Sequence, residues 1–179
     1  MKMASEKTKV QHTIVELKAE VENLSAIRSV LIQSQSEKVG VFHQVDTYYE
    51  VPKGRFKLRE VEGKTQANLI YYEREDLAKP KKNSVFILSI PNPKALKLIL
   101  EKILKVKSVV DKVREIYIHE GVQVHLDTVK GLGHFIEFER VTSQNPEQQE
   151  KDMAKLERLR VRLGISPESL KRLSYSDLT

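Results

Sequence analysis

What most constrains this chain is a succession of alternating apolar and polar segments separated by very short turns. Gln11 to Glu22 opens it, with Val15, Leu17, Ala19 and Val21 on one face and Ile14, Glu16, Lys18, Glu20 and Glu22 on the other. Similar segments run over about Val41 to Val51, Arg55 to Val61, Ala67 to Glu75, Ser84 to Ile90, Val109 to His119, Val122 to Val129 and His134 to Thr142. Pro52-Lys53-Gly54, Glu62-Gly63-Lys64, Glu120-Gly121 and Gly131-Leu132-Gly133 supply the turn residues between neighbours. Many strands joined this closely predict an antiparallel sheet, closed or strongly curved. The lysine-rich stretch Lys79 to Lys82 reads as a solvated loop.

Helices punctuate the strands. Asn23 or Ser25 can cap one that runs to about Gln35 with Leu24, Ile27, Val30 and Leu31 on its apolar stripe. Asn92 followed by Pro93 starts a second, whose apolar face is Leu96, Ile99, Leu100, Ile103 and Leu104. From about Pro146 the pattern is helical through Leu163, with Gly164 as C-cap, and Ser166-Pro167 opens a short last helix. These helices are expected outside the sheet and at its ends.

With 179 residues, 40% of them hydrophobic, the chain fits a single domain over residues 1–179 with a real core, its first nine residues flexible. The absence of cysteine excludes disulfides, thiolate zinc sites and cysteine nucleophiles. No apolar run is long enough to span a bilayer, and the polar start from Met1 to Lys9 has no apolar stretch behind it, so a cytoplasmic location without a membrane partner is expected. The net charge of +6 points to an anionic partner without choosing its class.

Where the strands put their charges narrows that choice. Arg55, Lys57 and Arg59 share a strand face, as do Lys112 and Arg114, and Arg74 lies with Ile70 and Tyr72. His125 shares a face with Asp127, and Glu137 with Glu139. Alternating charge is also what a solvated sheet face looks like. If these faces turn inward in a barrel, the lumen holds both signs: cations for a polyphosphate, and carboxylates for hard divalent ions such as Mg²⁺ or Mn²⁺.

The fragments Val15-Glu16-Leu17-Lys18-Ala19, Asp46-Thr47-Tyr48-Tyr49, Gly54-Arg55-Phe56-Lys57-Leu58-Arg59-Glu60 and Tyr72-Glu73-Arg74 stand in an order that goes on through Lys112-Val113-Arg114-Glu115. Leu126-Asp127-Thr128-Val129-Lys130-Gly131-Leu132-Gly133, Phe135-Ile136-Glu137-Phe138-Glu139 and Ser174-Tyr175-Ser176-Asp177-Leu178 complete it. In this order the chain resembles the CYTH superfamily, the triphosphate tunnel metalloenzymes, which include class IV adenylyl cyclases, thiamine triphosphatases and inorganic triphosphatases. The resemblance implies an α+β fold: a closed eight-stranded antiparallel β-barrel, or tunnel, with helices outside it and at the C-terminus. It implies metal ligation of Mg²⁺ or Mn²⁺ by Glu16, Asp127, Glu137 and Glu139. It implies phosphate binding by Lys18, Arg55, Lys57, Arg59, Arg74, Lys112 and Arg114, with Lys130 at the rim and Arg55 at a strand end. Glu16, Lys18, Arg59 and Lys112 would be the catalytic set. The implied partner is a small-molecule triphosphate (tripolyphosphate, thiamine triphosphate or ATP), bound by a monomer or homodimer; nucleic acid is not expected.

Two departures bear on activity. The family signature Glu-x-Glu-x-Lys begins here with Ile14, leaving Glu16 and Lys18 and removing one carboxylate; Glu20 shares that face. The His-Phe pair that tends to precede the signature in the cyclases is absent, since His12 is followed by Thr13. The second departure favours triphosphate hydrolysis over cyclic AMP formation, and the first is the best support for a further alternative, a non-catalytic polyanion-binding module. The scattered His12, His43, His119, His125 and His134 do not suggest a zinc triad, although His125 neighbours the Asp127 face. Tyr48, Tyr49, Tyr71 and Tyr72 can stack on a base or fill strand packing, and Ser174 to Asp177 can plug a tunnel end or cap a helix. An OB-type nucleic-acid binder would instead carry its cations on the outer surface.

Overall fold

The computed structural model describes residues 11–74 and 76–179; the expected flexibility of the first nine residues and the end of a strand at Glu75 lie outside them. The strands are β1 (Gln11–Val21), β2 (Glu37–Tyr49), β3 (Arg55–Val61), β4 (Ala67–Arg74), β5 (Lys81–Ile90), β6 (Val106–His119), β7 (Val122–Val129) and β8 (Gly133–Thr142). They close into a barrel in the order β1-β5-β4-β3-β2-β6-β7-β8. Every pairing is antiparallel.

Helices α1 (Leu24–Gln33), α2 (Pro93–Ile103), α3 (Pro146–Arg162) and α4 (Tyr175–Leu178) complete the fold. Asn23, Asn92 and Asn145 each accept a backbone N–H of the first turn of their helix, so α1, α2 and α3 start where side-chain acceptors satisfy their free donors. Gly164 follows α3 at φ +68°, a left-handed conformation that stops the helix at little steric cost. No helix among the described residues is long and apolar enough to cross a membrane.

The apolar faces of β1, β7 and β8 turn outward and are covered by α1 and α3. Val15, Leu17 and Ala19 of β1, Val124 and Leu126 of β7, and Ile136 and Phe138 of β8 form one core with Ile27 and Leu31 of α1 and Leu156 and Leu159 of α3. Burying such side chains contributes about 1.5–3 kcal/mol each. A second core sets Leu100 of α2 on Tyr49, Leu58 and Ala67. The apolar stripe expected on α2 is only partly used: Leu96, Leu100 and Leu104 pack, whereas Ile99 and Ile103 are exposed. With the apolar faces outside, period-two alternation forces the charged faces into the lumen.

Three strand boundaries depart most from expectation. β2 begins at Glu37, four residues ahead of Val41, because the polar run Glu37 to Gly40 is held by pairing with β6 and not by its own propensity. β6 likewise begins at Val106. The expected loop Lys79 to Lys82 is half strand: β5 starts at Lys81, paired with Glu16 of β1, and Lys81 is buried.

Candidate active site within the barrel

The lumen holds a cavity of about 120 Å³ lined by six cations (Lys18, Lys57, Arg59, Arg74, Lys112, Arg114) and three carboxylates (Glu16, Glu137, Glu139). The signs are segregated. β3, β4 and β6 supply the cations other than Lys18, whereas the carboxylates come from the paired strands β1 and β8. One wall is therefore basic and another acidic.

The basic wall is organised by a residue to which the sequence assigns no role. Asp46 of β2, fully buried, accepts both Nε and an Nη of Arg59 at 2.7 Å, Lys57 Nζ at 2.9 Å and Lys112 Nζ at 2.8 Å. Arg59 and Asp46 are direct partners across β2 and β3, which makes this bidentate pair a consequence of register. Burial alone would raise the Asp46 pKa, but Arg59, Lys112 and Lys57 outweigh it and hold the carboxylate well below its usual range. Burial pushes Lys112 down to about 7, against the attraction of Asp46, with Arg59, Arg114 and Lys57 adding repulsion. Asp46 stands in a fragment that carries the family resemblance and shares a face with Gln44 and Tyr48, but neither signal assigns it a role.

On the acidic wall, Glu137 pairs with Lys18 at 2.8 Å and with Arg114 at 2.5 Å, and Glu16 pairs with Arg74. Burial opposes ionisation of Glu137, but Lys18 and Arg114 hold its pKa well below the usual carboxylate value. Glu139 has no ion-pair or hydrogen-bond partner among the described residues, yet it sits directly across from Glu16 on the β1–β8 ladder. Like charges opposite each other on one sheet face destabilise it. Lys81 Nζ, 3.9 Å from Glu16, is a further cation that reading the loop as solvated missed; burial and Arg74 bring its pKa down to about 8.

Asp127, expected among the metal ligands, stands elsewhere. It is fully buried outside the cavity lining, taking Arg114 Nε at 2.7 Å and Nη2 at 2.5 Å and the Tyr175 hydroxyl at 2.7 Å. Arg114 and Asp127 are register partners across β6 and β7, so the arginine claims both carboxylate oxygens. Arg55 lies outside the cavity, tied to Asp177 and Asp76 at 2.8 Å each. Lys130 is 82% exposed and projects from the β7–β8 turn, 3.9 Å from Asp111. Arg55 and Lys130 thus do not join the other expected site residues, and Asp127 meets them only through Arg114.

α4 reaches the lumen through Ser174 and Tyr175. Tyr175 of α4 inserts among Tyr48, Val110, Val129 and Phe135. Lys18 Nζ stands 3.6 Å from the centre of its ring, a cation–π contact. Ser174 caps α4, and Asp177 fastens α4 to Arg55 and Lys107.

Mg²⁺ and Mn²⁺ prefer hard oxygen donors, and Glu16, Glu137 and Glu139 present them on adjacent strands. Glu139, without an ion-pair partner among the described residues and directly across from Glu16, fits a cation between the two. Among the described residues no three carboxylate or imidazole groups already converge as a metal cluster; two of the three carboxylates are held by lysine or arginine instead. Arg74 Nε and Asn83 Oδ1, both on residues lining the cavity, are buried without hydrogen-bond partners among the described residues. A buried unpaired guanidinium N–H is costly unless an acceptor arrives, and phosphate oxygens are suitable acceptors.

The sequence model of the CYTH domain matches residues 12–175. A Methanocaldococcus jannaschii protein named "putative adenylate cyclase" is 25% identical over 160 residues, covering 88% of this chain and 89% of that protein. A conserved hypothetical protein from Pyrococcus furiosus superposes with a TM-score of 0.80 at 22% identity, covering 93% of this chain and 99% of that one. A Hippeastrum "putative adenylyl cyclase", described as revealing a dominant triphosphatase activity, superposes with a TM-score of 0.61 at 15% identity over 92% of this chain and 93% of that one.

Proposed function

Because the chain belongs to the CYTH domain family, we propose that it is a divalent-metal-dependent hydrolase that cleaves the triphosphate group of its substrate inside the barrel. The observation that carries this reading is the division of one cavity into a basic wall and an acidic wall.

Lys57, Arg59, Arg74 and Lys112 would bind the phosphate chain, the arginines donating paired hydrogen bonds and the lysines acting as point charges. Asp46 fixes Lys57, Arg59 and Lys112 in place before substrate arrives, so little reorganisation accompanies charge build-up in the transition state. Glu16, Glu137 and Glu139 would hold Mg²⁺ or Mn²⁺, which when bound supplies further neutralisation of phosphate charge. In hydrolysis, a water oxygen forms a bond to the terminal phosphorus. The bond from that phosphorus to its bridging oxygen breaks, the diphosphate end leaves with the electron pair, and the water's proton passes to a carboxylate of the acidic wall. Tyr175, buried against Tyr48 and Phe135 beside the lumen, would keep water from that part of the site, where charge interactions are then stronger.

The test is product analysis with pure protein, Mg²⁺ or Mn²⁺, and tripolyphosphate, thiamine triphosphate and ATP in turn. Metal-dependent phosphate release is expected. Cyclic AMP from ATP without faster phosphate release from tripolyphosphate would support the cyclase reading, which the name of the Methanocaldococcus relative favours. Background release from all three would leave a polyanion-binding module.

A further inference from the structure

The charged lumen contains one patch that phosphate does not explain. Ile14 of β1, Ile70 of β4 and Val85 of β5 pack together as an apolar cluster, and Tyr72 packs both against it and against the cluster around Tyr175. All four line the cavity that holds the cations and carboxylates, and Ile87, 39% exposed, continues the apolar strip along β5. The strip occupies one sector of the wall, where β1, β5 and β4 are neighbours. Ile14, Ile70 and Val85 are only 7%, 6% and 8% exposed, so the open apolar area lies mainly at Ile87 and Tyr72, where each Å² facing the hydrated cavity forfeits about 25 cal/mol until something apolar covers it. A bare phosphate chain cannot do so. Ile14 takes the place where the family pattern has a glutamate, so this chain exchanges a carboxylate for part of the strip.

We infer that Ile14, Ile70, Val85 and Ile87, with Tyr72, form an apolar subsite that seats the organic group of an organic triphosphate, and that bare tripolyphosphate is the poorer ligand. This rests on the triphosphate reading above and deepens it. Tyr72 supplies an aromatic ring beside the aliphatic residues, a composition that suits a heteroaromatic group carried on the phosphate chain. Asn83, directly across from Ile14 and with a buried Oδ1 that has no partner among the described residues, stands beside the patch as an acceptor for a donor on the ring.

The experiment compares kcat/KM for tripolyphosphate with that for thiamine triphosphate and for ATP, together with Kd values for the same ligands by calorimetry without metal. Wild type, Ile14→Ser and Ile87→Ser are each measured, with thermal melts as a check on folding; Ile87 stands at the exposed edge, so its variant tests the idea if Ile14→Ser does not fold. Wild type is expected to favour at least one organic triphosphate by about tenfold or more, and each serine variant to lose about tenfold on that ligand while changing little on tripolyphosphate. Equal preference in wild type, or serine variants that weaken all ligands alike, would overturn the subsite. If no triphosphate is turned over, the hydrolase reading fails, and the ratio of Kd values decides the subsite independently.

Discussion

Replacing Asp46 with asparagine tests how the basic wall is held together. The carboxylate is fully buried and is the shared acceptor of Lys57, Arg59 and Lys112. Asparagine keeps the shape but removes the charge, and its amide nitrogen has no lone pair to offer the cations it would face. Breaking a buried charge pair by removing one partner costs about 3–5 kcal/mol. For a chain of 179 residues, each kcal/mol lowers Tm by about 2–4 °C, so Asp46→Asn should melt about 6–20 °C below wild type. A polyanion in the lumen replaces the missing negative charge. Saturating tripolyphosphate should therefore raise the melting temperature of the variant more than that of wild type. The assay is a thermal melt by circular dichroism with and without tripolyphosphate at fixed ionic strength. A drop of less than about 2 °C, or equal stabilisation of both proteins by the ligand, would refute the view that Asp46 is the counter-charge of a preformed phosphate site.

Glu137→Gln should abolish metal-dependent turnover and also lower Tm, because Lys18 and Arg114 lose their carboxylate; Glu139→Gln should abolish turnover while leaving Tm unchanged or raised, since it relieves the repulsion with Glu16. Melts and phosphate release on both variants separate the two outcomes. Lys112, lowered to about 7 by burial, binds its proton more weakly when folded than when unfolded, so its contribution makes stability rise with pH from about 7 toward the usual lysine range. Urea titrations across that window should show a shallower rise in Lys112→Met. Lys130→Ala should change kcat/KM for any triphosphate less than about twofold, since the side chain points into solvent; a roughly tenfold loss would place the β7–β8 turn in the site.

Much of the fold was legible because alternation within each segment fixes which residues share a face. β3 and β7 match the sequence expectation at both ends, and Lys57, Arg59, Lys112 and Arg114 of β3 and β6 fall on the faces that line the lumen. Register between strands is set by the closed barrel and leaves no local trace. Asp127 shows the consequence: only the structure places it opposite Arg114, which takes its oxygens. Asp46 is hidden for the same reason, since its three cation partners lie on two other strands. Lys81 is missed because its lysine-rich neighbours look solvated, whereas pairing with β1 buries it. Ile14 counts in the sequence as a lost carboxylate; its packing on Ile70 and Val85 gives it another use.

The enclosed phosphate site itself is tested most directly by a crystal structure with tripolyphosphate. Phosphate oxygens within hydrogen-bonding distance of Lys57, Arg59, Arg74 and Lys112, inside the closed barrel, are the expected result. Density for the polyanion only on outer basic residues such as Lys155 and Arg158, with the lumen unchanged, would contradict it.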